Sequence, residues 1–209
     1  LTGCTSLTRL VLEQNNLTTL DLNPVAGNLR DLRAAVQQGG KLTLTPLTAP
    51  MAKLYHFCVV EQTLVNHPNP AQLPVVEERW DRITGQSGEL TSTSSAIRSL
   101  LTSGNHYTTA NLTNQFPAGR NATLDVSSNN LTAVDLTGCS GLQGINLSKN
   151  SLNQAAVDGV LALVASWGTP GGLLDLSANG LPSTDGVASR DLLTGRGWKI
   201  VTDPGSDES

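Results

Sequence analysis

The chain has 209 residues, enough to bury a sizeable core in one domain or one small repeat array. It is 38% hydrophobic, 14% charged and 3% aromatic, a balance that suits a core of stacked small aliphatics, chiefly Leu and Val. The net charge of −4, with no Lys/Arg cluster along the chain, argues against a nucleic-acid partner.

The longest strongly apolar stretch, Val160 to Trp167, falls well short of the roughly 20 residues of a membrane span. No signal-peptide pattern is visible, and the chain starts inside a repeat at Leu1-Thr2-Gly3-Cys4, as a mature fragment or excised region would. Three cysteines make no disulfide framework, and Cys4, Cys58 and Cys139 are expected as buried free thiols.

In chain order, Leu7-Thr8-Arg9-Leu10-Val11-Leu12-Glu13-Gln14-Asn15-Asn16-Leu17 places Leu at positions 1, 4, 6 and 11 of a unit and Asn at position 9. Leucines at 4 and 6 share one face of a short strand, and the Asn ends it by bonding backbone groups of the turn. Asn28 to Val36 reads as a helix and Lys41 to Leu44 as the following strand, with Leu47 in place of the Asn. Residues 48–94 depart from the pattern and read as an irregular insertion: strand-like Tyr55 to Val60, a turn at Asn66 to Pro70, and a strand or short helix at Val75 to Trp80. Ser95 to Leu101 reads as another helix.

The pattern then returns from Leu124, whole from Leu142 and again from Leu174, with Asn129, Asn150 and Asn179 at position 9. Between the last two, Asn153 to Val164 has the apolar spacing of a helix. Val187 to Leu193 reads as a short helix and Gly197 to Val201 as a last strand; with Trp198, residues 187–203 form an expected cap, and 204–209 a disordered acidic tail.

These units resemble the leucine-rich-repeat family, and the Leu-Thr-Gly-Cys and Leu-Asp-Leu/Val phrasing is most similar to bacterial surface and phage-associated members. The resemblance covers about two thirds of the chain. It implies an α/β leucine-rich-repeat solenoid over residues 1–203, with a short-strand parallel sheet, some convex helices and the 48–94 insertion. It also implies an extracellular, surface-exposed or virion setting.

Catalytic and metal chemistry find little support. His56, Cys58 and His67 lack the second ligand pair of a structural zinc, and nothing marks Cys58 as an activated nucleophile. Gly85 to Glu89 lacks the last glycine of a nucleophile elbow, and Glu77, Glu78 and Asp81 alternate with Arg79 and Arg82 as on a solvated face. Of five Asn-x-Ser/Thr triplets, those at Asn16, Asn130 and Asn146 are generated by the repeat itself. No enzyme, metal or cofactor is expected.

What remains is the concave strand face, where residues between the leucines meet solvent. It offers Arg9, Val11, Glu13 and Gln14, then Thr43, then Asp125 and Ser127, then Asn146 and Lys149, then Asp175. This polar, mildly acidic stripe suits a protein or other macromolecule, without an aromatic platform. The expected function is a non-catalytic interaction module; the alternative is a structural piece of a phage virion, tail or surface filament, with self-association through the uncapped Leu1 end.

Overall fold

The computed structural model describes residues 1–60, 63–65, 77–79, 87–91 and 97–203. The fold is mixed α/β, with several parallel sheets and few helices. The largest sheet has nine strands: β1 (Arg9–Val11), β3 (Asp31–Arg33), β5 (His56–Cys58), β7 (Glu77–Arg79), β9 (Ser99–Leu101), β11 (Ala122–Asp125), β13 (Leu142–Asn146), β14 (Gly172–Asp175) and β15 (Trp198–Val201), adjacent in that order. Every neighbouring pair is parallel. Two three-stranded parallel sheets take the alternate strands. One holds β2 (Thr19–Leu20), β4 (Lys41–Leu44) and β6 (Thr63–Val65); the other holds β8 (Ser87–Thr91), β10 (His106–Asn111) and β12 (Ala133–Asp135).

The strands are only two to six residues long, so none can bury an apolar face alone. Register solves this: Leu10, Leu32 and Phe57 line up across the sheet, as do Leu100, Leu124, Ile145 and Leu174, and all are buried. Burying one such side chain is worth roughly 1.5–3 kcal/mol, so the aligned column is a large part of the core. Leu42, Leu44, Leu90 and Ala110 of the smaller sheets are buried in the same core, with Phe116 and Leu131.

Position-9 side chains stitch the turns. Asn129 Nδ2 donates to the carbonyls of Thr102, Val126 and Ser127 at 3.0–3.2 Å, while its Oδ1 accepts from the Tyr107 amide. Asn150 and Asn179 repeat this, each donating into the preceding strand turn and accepting from a backbone amide.

Two expected helices are strands. Residues 28–36 contain β3 after a short 3-10 turn at Asn23–Val25, and 99–101 form β9; residues 95–96 lie outside the described residues. The physical reason is a coincidence of periods. Leu29, Leu32 and Val36 stand at helical spacing, but positions 1 and 4 of the repeat are also three apart. Read as the repeat, Leu29, Leu32, Ala34 and Gln37 fill positions 1, 4, 6 and 9, and all four are buried. Gln37, not Leu47, takes the Asn role: its Nε2 donates to Leu12 O at 2.8 Å and its Oε1 accepts from Leu17 N at 3.0 Å. Ile97, Leu100, Thr102 and Asn105 fill the same positions before β10 and are likewise buried.

The described strands between 48 and 94 lie within the sheets: β5 joins β3 to β7, β7 joins β9, and β6 and β8 pair in the smaller sheets. The stretch thus continues the strand order where it is described. The turn at 66–70 and the tail at 204–209 lie outside the described residues.

The two α-helices come late. In α1 (Gln154–Ser166), Asn153 caps the first turn by accepting from Ala156 N at 2.9 Å, and Val157, Val160, Leu161 and Val164 form the buried face. In α2 (Thr184–Gly195), Ser183 is the cap, and Asp158 of α1 accepts from the Ser183 amide at 2.9 Å, tying the two helices. Trp198 of β15 is buried and donates its indole N–H to Thr169 O at 2.9 Å. Among the described residues no helix is long and apolar enough to cross a membrane.

Candidate functional site

The solvent face of the nine-stranded sheet carries two columns of side chains beside the buried one. Register gives Arg9, Asp31, His56, Ser99 and Thr123 for the first, and Val11, Arg33, Cys58, Leu101, Asp125, Asn146 and Asp175 for the second, with the β7 backbone pairing between β5 and β9. Arg9 and Val11 therefore lie at one edge of the sheet, and Asp125, Asn146 and Asp175 are direct neighbours in its other half. Glu13, Gln14 and Lys149 lie exposed in the turns that follow β1 and β13.

Two expected members of the stripe do not belong to it. Thr43 stands on β4 in a separate three-stranded sheet, because the strand that follows β1 in the large sheet is β3. Ser127 is buried, with its amide donating to Asp125 Oδ1 at 3.0 Å. The same bond recurs from Ser148 N to Asn146 Oδ1 and from Ser177 N to Asp175 Oδ1. One oxygen of each residue in this row is thus spent on ending its own strand, which is a structural task.

The other half of the face is built differently. Asp31 sits between Arg9 and His56 in the first column, forms an ion pair with Arg9 Nε at 3.1 Å, and accepts from Arg33 Nε at 3.3 Å and His56 Nδ1 at 2.8 Å. Burial pushes its pKa up, but hydrogen bonds from His56 and Arg33 and their charges outweigh this and hold it below 3.8. Just outside the strands, the amides of Tyr55 and His56 both donate to Arg30 O, at 2.7 and 3.0 Å. This brings Arg30 and Tyr55 side by side, and Lys53 reaches Asn28 Oδ1 at 2.7 Å. Arg30, Asp31, Arg33, Lys53, Tyr55 and His56 line a cleft of about 560 Å³.

This cleft corrects two expectations. Cationic side chains do cluster, though they come from segments about 20 residues apart in sequence. The face also has an aromatic surface, since Tyr55 is half exposed. The signal that could have found the cleft is the repeat hidden at Leu29 and Leu54. Aligning the two puts Arg30 beside Tyr55 and Asp31 beside His56.

His56 and Cys58 share a strand, two residues apart, but among the described residues no group of three or more His, Cys, Asp or Glu could hold a metal ion. All three cysteines are free thiols; Cys139 is buried, which pushes its pKa up, but Cys4 is exposed, contrary to expectation. Cys139 donates to Leu112 O at 2.9 Å.

No family model matches the chain, and no curated protein matches it either.

Proposed function

We propose that this chain is a leucine-rich-repeat solenoid acting as a non-catalytic interaction module of a bacterial surface or secreted protein, and that it engages a macromolecular partner through the solvent face of its nine-stranded sheet. The observation that carries the reading is the unbroken parallel register. Nine strands about 4.8 Å apart give a face roughly 40 Å across, wide enough for a standard protein interface. The repeat residues support it as well, since Leu32, Ala34, Gln37, Leu124, Asn129 and Ile145 at the pattern's positions are buried. The side chains between them are left to solvent, so they can vary without cost to the core.

The test is charge reversal at exposed positions in the turns that border that face, Glu13→Lys and Lys149→Glu, with Asp191→Lys on α2 as control. Partner binding, measured with whatever protein the chain captures from its natural surroundings, is expected to fall about tenfold or more for the face variants and to be unchanged for the control. Equal binding by all three, or loss confined to the α2 variant, would place the interface elsewhere and overturn the reading.

A further inference from the structure

We infer that the cleft along β3 and β5 is a binding site for an anionic sugar, a ring carrying a carboxylate or a phosphate, with Arg30 and Lys53 holding the anion and Tyr55 stacking on the ring. The inference stands on the cleft alone and does not need the partner-binding reading.

Charge is the first argument. The whole chain is net negative, yet among the described residues Arg30, Arg33 and Lys53 line this cleft with a single carboxylate, Asp31. That carboxylate is already engaged by Arg9, Arg33 and His56, so its charge is met from within the protein and it orients those side chains. Arg30 forms no ion pair or side-chain hydrogen bond among the described residues, and Lys53 is held only by the neutral Asn28 amide oxygen. Two cations, one a planar guanidinium suited to bidentate oxyanion binding, therefore have no counter-ion among the described residues.

Shape is the second argument. A volume of about 560 Å³ falls within the roughly 300–1,000 Å³ of small-ligand sites, so it admits a sugar or short oligosaccharide. Tyr55 is half exposed beside Arg30, its backbone held by its own amide and that of His56 donating to the Arg30 carbonyl. A ring with an apolar C–H face fills the space over that phenol; a bare carboxylate side chain of a peptide would leave it wet. A polynucleotide is disfavoured by the net negative charge of the remaining surface.

The experiment is calorimetric titration of the full chain with trigalacturonate and with neutral galactotriose. Glucose 6-phosphate, inorganic phosphate, acetate and a short polyglutamate are titrated in parallel. Trigalacturonate or glucose 6-phosphate is expected to bind at least about tenfold more tightly than galactotriose, and the stronger of the two names the anion; either ranking supports the site. In Arg30→Ala/Lys53→Ala that preference is lost. In Tyr55→Ala, affinity for charged and neutral sugars falls together and the preference stays. These residues are exposed, so thermal midpoints serve as a check that the variants fold. Equal binding of charged and neutral sugars overturns the proposal, as does a double variant that still discriminates. Acetate or inorganic phosphate binding as tightly as the sugars overturns the role of Tyr55, and polyglutamate binding alone reassigns the cleft to an acidic peptide.

Discussion

A single amide side chain does the work of several backbone bonds in this fold. Asn129 donates to three carbonyls and accepts from one amide while almost fully buried, so truncation removes four hydrogen bonds at once from a buried turn, leaving its three carbonyls only the bonds from Asn105 Nδ2, Asn150 Nδ2 and the Gly104 amide. Asn129→Ala is expected to cost about 2–4 kcal/mol in a urea titration, whereas Asn15→Ala, exposed and with two local bonds, should cost under about 1 kcal/mol. Equal costs would mean the stitching is not what the Asn contributes. Asp31 carries a pH signature instead. Its folded pKa lies below its unfolded value, so the stability it contributes is present above 3.8 and fades as pH falls toward the folded value. Native protein should melt above Asp31→Asn near neutral pH, with the gap closing as pH falls below 3.8. A gap that stays constant through that fall would remove the carboxylate's charge from the explanation. Residue patterns also show where reading the sequence succeeds. Asn129, Asn150 and Asn179 are legible because each sits in a full pattern, while Gln37 in the same role is hidden by an Ala at position 6 and a longer amide.

Elements in this chain are short, and their fit depends on places where backbones touch. A side chain on Gly141 would overlap the carbonyl oxygen of Pro117, while the Gly141 amide donates to Phe116 O at 2.8 Å. Because the obstacle is backbone, it cannot swing aside, and Gly141→Ala is expected to destabilise by about 2–4 kcal/mol. Gly159, inside α1 and with open space around it, gives the contrast: Gly159→Ala should stabilise by about 0.5–1 kcal/mol. Thermal melts of the two variants moving the same way would contradict this account. Helices α1 and α2 are legible from caps and apolar spacing because nothing competes with that spacing there. Over 28–36 the repeat and the helix share a three-residue step, and tertiary pairing with β1 and β5 decides for strand. The alternation Lys41-Leu42-Thr43-Leu44 reveals a strand but not its sheet, and so Thr43 is misplaced by sequence reasoning.

Across the whole molecule, strand order follows chain order: β1 and β15 are opposite edges of the large sheet, and each strand bonds the segment one unit earlier and one unit later. The polar row at Asp125 was legible because it repeats at fixed spacing; the cleft was not, because its residues do not repeat and meet only when 30–31 and 55–56 are stacked. The same order has a mechanical meaning. A pull on the two chain ends reaches the sheet's outer strands first, and each must release its bonds to one neighbour before tension passes inward. The load is thus borne by one strand boundary at a time, so the protein pays out length in steps under modest tension, as a tether does, instead of resisting as a block and then failing at once.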